Sequence, residues 1–185
     1  MGVVTPQWLA GFFDGEGTVD IRIAKTHGGK YMRFELRVQV AQRDRAPLRL
    51  IQDQYGGSIQ GSHCGMWVAT GATALTFLRA IAPYSVCKAD QIAVGIRFQE
   101  RLVGQADRMA ASRKRGFWKL PQEEMDARLA LHREIRAIRD AAGLRPKARN
   151  YSLQAEAAVY AVSRDGEAVA GDRGAQASGE NRGLH

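Results

Sequence analysis

The chain has 185 residues, 45% of them hydrophobic, which suffices for one ordinary domain with a buried core. No run of about 18 apolar residues is present and the start lacks a basic-then-apolar stretch, so neither a helical membrane span nor a secretory leader is expected. Lys and Arg number 27 against 19 Asp and Glu, a net charge of +8 with a pI near 9.9, and this balance points to a polyanion partner, most commonly nucleic acid.

Thr5-Pro6 reads as an N-cap followed by a first-turn proline. Trp8, Leu9, Phe12 and Phe13 then recur at helical spacing, with Leu9, Phe12 and Phe13 expected in the core, and Gly15 and Gly17 end the helix. The run TVDIRIAK (18–25) alternates, with Val19, Ile21 and Ile23 on one side. After a THGGK turn, YMRFELRVQVAQ (31–42) alternates again through Met32, Phe34, Leu36, Val38 and Val40. These two runs predict an antiparallel hairpin. A helix with Leu48, Ile51 and Tyr55 inward follows at 46–57, then a shorter hairpin at 58–70 turning near 63–65. Three helices complete the pattern. One runs to Pro83, one covers 88–104 with Ile92, Ile96 and Val103 inward, and one covers 121–143 with Leu129, Ile135 and Ile138 inward. The order α-β-β-α-β-β-α-α-α lacks βαβ crossovers, so the fold class is α+β with an antiparallel sheet. Periodicity fades near Tyr151. The domain is therefore placed at 1–149, and the small, polar, Gly-rich 150–185 is expected to be a disordered tail.

Cys64 and Cys87 have no CxxC spacing, so each reads as a small buried hydrophobe rather than half of a disulfide or zinc knuckle. His27, His63, His132 and His185 form no HxH or HxxxH pair, and no histidine metal site is expected.

The polar faces of the two hairpins carry Arg22, Arg33, Arg37, Gln39 and Gln42, then Gln60, Ser62 and Thr70. Such side chains bond phosphates and base edges, and a twisted antiparallel sheet can enter a major groove. A solvated sheet face favours the same residue types, so both readings stand. The stretch MAASRKRGFWK (109–119) sets Arg113, Lys114, Arg115 and Lys119 around Phe117 and Trp118, either as a backbone clamp or as a solvated basic run.

The stretch LAGFFDGEG (9–17) runs an apolar helix into two acids, Asp14 and Glu16. Acids at a helix C-terminus face the negative end of its dipole, so a compensating charge is required. A divalent cation held by carboxylate oxygen is one candidate. Gly11 and Gly15, four apart, leave a bare strip along which a second helix could approach closely.

Over nine contiguous positions this stretch resembles the signature of the LAGLIDADG homing endonucleases, and the order of elements extends the resemblance over about residues 5–142. The resemblance implies an αββαββα fold with a DNA-binding antiparallel sheet and added C-terminal helices. It implies Glu16 as the metal-binding acid, with the Gly15 carbonyl as a possible further ligand, Mg²⁺ or Mn²⁺ as the ion, and no small-molecule cofactor. Gly11, Asp14 and Gly15 would lie at the boundary with a second copy, Asp14 in a capping role. Gln42 would order active-site water and Lys88, in APYSVCK, would sit near the cleaved phosphate. A further basic residue often follows the glutamine in the family. Here Ala46 or Pro47 falls there, with Arg43, Arg45 and Arg49 nearby. DNA contacts would come from Thr18, Asp20, Arg22, Arg33, Glu35, Arg37, Gln39, Gln60, Ser62, Val68 and Thr70.

A single motif implies a homodimer on a long, near-palindromic double-stranded site. The leading expectation is a metal-dependent endonuclease that cuts both strands, leaves 3′ overhangs and initiates homing of an intron or intein. The alternatives are a non-cutting relative, acting as an RNA maturase or a DNA-binding regulator, and an unrelated α+β protein with a chance motif.

Overall fold

The computed structural model describes residues 4–26, 31–112 and 121–143. The basic, aromatic stretch at 113–119 and the tail from 150 lie outside them. Described residues 4–22, 34–112 and 121–143 belong to one compact unit, and 23–26 and 31–33 to a second. The elements are α1 (Pro6–Glu16), β1 (Gly17–Thr26), β2 (Tyr31–Gln42), α2 (Ala46–Tyr55), β3 (Ser58–Gln60), β4 (Gly65–Thr70), α3 (Gly71–Ile81), α4 (Ala89–Ser112) and α5 (Gln122–Ala141). The αββαββα order and the two added helices are those expected. The strands form one sheet in the order β1-β2-β4-β3.

Local chemistry sets the boundaries. The Thr5 hydroxyl accepts the Trp8 N–H at 3.3 Å, capping α1 ahead of Pro6. α3 stops at Ile81 rather than running to Pro83, which has no N–H to continue the ladder. α4 passes through Gly104, where the sequence suggests an end, and continues to Ser112. One glycine inside a helix costs only about 1 kcal/mol, which packing offsets.

The antiparallel β2–β4 register pairs Gln39 with Val68 and Arg37 with Thr70, and β3 pairs Ser58 with Val68. Alternation therefore sends Val19, Ile21, Leu36, Val38, Val40, Trp67 and Ala69 to one face, where all are buried. Phe77 of α3 is a hub of this core. Its ring meets Phe13 of α1 edge-on at 5.4 Å, Tyr55 of α2 at 5.3 Å and Trp67 of β4 at 4.8 Å.

Some inward assignments change. In α1 the buried residues are Leu9, Ala10 and Phe13, while Phe12 is half-buried and stacks on the exposed Trp8. In α4 Val94 and Phe98 join Ile92 in the core, and Val103 faces out. Both cysteines are exposed, against expectation, because both fall in turns: Cys64 between β3 and β4, Cys87 between α3 and α4.

α5 docks through polar groups as well as Leu129 and Ile135. Glu124 is buried between Arg101 of α4 at 2.7 Å and Arg128 at 2.8 Å. Burial disfavours its charge, but hydrogen bonds and charge from Arg128 and Arg101 hold its carboxyl below the ordinary value. His132, also buried, places Nδ1 2.7 Å from the Ile21 carbonyl of β1.

Candidate metal centre and nucleic-acid interface

The two acids of α1 meet different surroundings. Asp14 accepts four hydrogen bonds from the turn that precedes α4. The Ser85 hydroxyl donates to Oδ1 at 2.5 Å and the Lys88 N–H to Oδ1 at 3.2 Å, while the N–H groups of Val86 and Cys87 donate to Oδ2 at 2.7 and 3.1 Å. Asp14 thus joins the negative end of α1 to the positive end of α4, and the charge problem at the end of α1 is solved for this residue by the protein itself. Burial raises its pKa, but the Ser85 hydroxyl and the three backbone N–H groups outweigh it and hold the carboxyl below the usual range. Asp14 thus caps the start of α4 within one chain.

The same turn brings in Lys88. Its ammonium donates to the Asp14 backbone carbonyl and lies 6.0 Å from the centre of the Phe13 ring. Lys88 is only 7% exposed. Burial lowers its pKa, and the nearby charges of Asp14, Cys87 and Glu16 offset part of that shift. Glu16 therefore lies close enough to Lys88 to act on it electrostatically.

Glu16 is exposed, and among the described residues nothing hydrogen-bonds its carboxylate. A free carboxylate oxygen beside a backbone carbonyl, that of Gly15, is a donor set suited to a hard cation such as Mg²⁺, which keeps several waters and takes few protein ligands. No group of three or more His, Cys, Asp or Glu side chains able to hold a metal occurs among the described residues.

The outer stripe of α1 is bare around this acid. Trp8 is 43% exposed, Gly11 and Gly15 are exposed, and a Cβ on either glycine would meet nothing within 4 Å. Trp8 and Phe12 stack at 5.0 Å along the same stripe. Val86, in the turn that holds Asp14, is 83% exposed.

Gln42 ends β2 opposite Gly65. Its side-chain carbonyl accepts the Arg43 N–H at 2.8 Å, and its amide NH₂ is a further polar group at the end of the strand. Among the described residues no hydrogen bond joins Gln42 to Glu16 or Lys88.

The sheet face opposite the core gathers most of the residues expected to meet DNA. Arg22, Ser58, Gln60 and Thr70 are exposed, while Thr18, Glu35, Arg37 and Gln39 are half-buried. Ser62, in the β3–β4 turn, is exposed as well. Arg33, in the second unit, is also exposed. Desolvation and the neighbouring Arg22 lower the Arg37 pKa, with Asp20 and Glu35 acting against them. Three residues carry prior commitments. Asp20 pairs with Arg139 of α5 at 3.2 Å, Gln39 donates to the Met66 sulfur at 2.8 Å, and Val68 is 7% exposed between Gln39 and Ser58. Arg139 and Met66 carried no sequence signal for these roles, since each meets its partner only through tertiary folding. Ser85 sits three residues before Lys88, and that spacing could have marked it as part of a capped turn.

The profile of the LAGLIDADG endonuclease family matches residues 9–84. Over these residues the chain is similar to the LAGLIDADG endonucleases. No curated protein matches it in sequence. The fold is that of solved LAGLIDADG homing endonucleases. An archaeal intron-encoded homing endonuclease, I-Vdi141I, complexed with DNA, aligns with a TM-score of 0.63 at 16% identity, over 85% of this chain and 96% of its own. The homing endonuclease I-CvuI, in complex with its target in the presence of Ca, aligns with a TM-score of 0.62 at 15% identity, over 85% of this chain and 94% of its own. I-SmaMI, bound to uncleaved DNA target in the presence of calcium ions, aligns with a TM-score of 0.56 at 18% identity, over 75% of this chain but 48% of its own.

Proposed function

We propose that this LAGLIDADG protein is a site-specific endonuclease that hydrolyses both strands of DNA with a divalent metal ion and works as a homodimer. The observation that carries the reading is the pairing of an unengaged Glu16 with a buried Lys88 at one end of α1. The DNA complexes of I-CvuI and I-Vdi141I, chains of similar length and fold, support double-stranded DNA as the substrate.

Each residue then has a task. The Glu16 carboxylate and the Gly15 carbonyl would hold the metal ion, Mg²⁺ or Mn²⁺. Such an ion supplies an activated water and neutralises charge on the leaving oxygen. The Lys88 ammonium, already placed by the Asp14 carbonyl, keeps further N–H donors that can stabilise negative charge at the phosphate. Gln42 contributes its amide NH₂ as a donor that can order water at the site. The sheet face supplies Arg22, Arg37, Gln60 and Thr70 to DNA, the β3–β4 turn supplies Ser62, and Arg33 of the second unit offers a further cation. Thr18, Glu35 and Gln39 lie deeper, Asp20 acts through its ion pair, and Val68 serves as a buried support.

One acid per chain makes a complete site only when a second copy supplies another. The bare stripe of Gly11 and Gly15, flanked by Trp8 and Phe12, fits a second α1 related by a two-fold axis. The part of this chain that aligns fills only 48% of I-SmaMI, which fits a site that needs a second copy here.

The test uses the uninterrupted allele of the gene that surrounds the coding sequence. The protein is incubated with that DNA and Mg²⁺ or EDTA. Double-strand cleavage with Mg²⁺ alone is expected, together with a sedimentation mass of two chains. Specific binding with no cleavage under any divalent metal would replace this reading with that of a non-cutting DNA-binding protein.

A further inference from the structure

Three arginines follow Gln42, and the structure separates one of them from the others. Arg45 is the residue before α2, and its carbonyl accepts the Arg49 N–H at 2.9 Å. The Asp44 carboxylate holds the next N–H, that of Ala46, at 2.9 Å. With its backbone fixed in this way, Arg45 sends its side chain across to the β3–β4 turn. One guanidinium nitrogen, Nη2, donates to two successive carbonyls of that turn, Gly61 and Ser62, the latter at 3.1 Å.

The turn is shaped to receive it. A Cβ on Gly65 would lie 3.0 Å from the Arg45 Cγ and 2.8 Å from Leu48 Cδ1, so a larger residue there would push the arginine stem and Leu48 aside. Gly61, just past β3, has φ +88°, which favours glycine. β3 has only three residues and lies at the sheet edge, joined to β4 by three residue pairs. So short a ladder gives the turn little rigidity of its own. The side chains of Ser62 and His63 project from it exposed.

We propose that Arg45 is a specificity-positioning residue: it clamps the β3–β4 turn so that Ser62 and His63 meet a defined set of base pairs. This rests on the sheet being the DNA-binding face, as proposed above. It also removes Arg45 from the basic residues that could act at the phosphate, since its guanidinium is committed to backbone carbonyls. Arg43 and Arg49, both exposed, remain for that role. Clamping makes the turn pay its ordering entropy before DNA arrives, and preorganised contacts discriminate better than contacts ordered on binding.

The clamp is tested first without DNA. Backbone order at 61–65 is measured by NMR relaxation in the intact protein and in Arg45→Gln. Order parameters near about 0.85 should fall below about 0.6 in the turn and stay unchanged in β4 and α2. An unchanged turn overturns the clamp whatever the protein binds. Binding is then measured, in Ca²⁺, against a panel of targets with single base-pair substitutions. Ser62→Ala and His63→Ala should mark one block of base pairs in each half-site. Arg45→Gln should lower discrimination in that same block by about fivefold or more, the scale of one mismatched pair, with other positions within about twofold. Arg45→Lys should restore part of it. Uniform weakening at every position would instead make Arg45 a phosphate contact and overturn the proposal. If the wild-type chain binds none of the panel, the DNA-binding reading fails, and the relaxation result alone decides the clamp.

Discussion

Asp14 and Glu16 lie two residues apart, carry the same charge and end the same helix, yet they meet opposite surroundings. Asp14 receives four donors from the Ser85–Lys88 turn, and its carboxyl is held below its ordinary pKa. Glu16 is exposed, with no hydrogen bond to its carboxylate among the described residues. The difference follows from helix geometry, in which residues two apart point to different sides. The inner side of α1 meets the start of α4, where free N–H groups need an anion. The outer side is the bare stripe of Gly11 and Gly15. One acid therefore stabilises the fold and the other remains available for chemistry.

The comparison breaks if the two acids can exchange roles. The largest effect is expected for Glu16→Gln: cleavage should fall by about 10²–10³-fold or more, the scale of losing a preorganised charged group at a reacting phosphate. Its melting temperature and DNA affinity should match the parent. A matching fall in melting temperature, seen by differential scanning calorimetry, would place Glu16 among the structural acids instead.

Asp14→Ala should show the opposite pattern. It strips an anion from the start of α4 and leaves the Ser85 hydroxyl and three N–H groups to water. An unfolding free energy lower by about 1–2 kcal/mol, read by urea titration, is expected. Cleavage should fall less than in Glu16→Gln, through a looser Lys88 alone.

Acid sharpens the same contrast by a smaller, graded effect. Asp14 and Glu124 both have pKa values below their ordinary 3.8 and 4.5, so their contribution to stability is present above those values. It is lost as pH falls through the depressed folded values. Stability should therefore decline as the solution is acidified below about pH 4.5. Glu124→Gln should flatten that slope. Chemical denaturation across pH 2–6, an estimated span around these values, reads both outcomes.

Much of this organisation is legible in the sequence. Thr5-Pro6, the two alternating runs and the LAGFFDGEG stretch give α1, the first hairpin and the family likeness, because each depends on local pattern. What the pattern does not carry are partners distant along the chain. Asp14 finds Ser85 across 71 positions, and His132 finds the Ile21 carbonyl across 111. Nothing local in either residue reveals such a bond. The cysteines mislead for a related reason, since a small apolar residue in a turn has no neighbours to bury it. Apolar spacing also ranks Phe12 with the core, whereas it is half-buried and stacks on the exposed Trp8 along the stripe proposed to meet a second copy.

The central claim is that Glu16, and not Asp14, carries the metal. Isothermal titration of Ca²⁺ into the DNA-bound protein tests it directly, using three forms: the parent, Glu16→Gln and Asp14→Asn. The account predicts that the binding isotherm disappears in Glu16→Gln and survives in Asp14→Asn. Loss of metal binding in Asp14→Asn with retention in Glu16→Gln would contradict it.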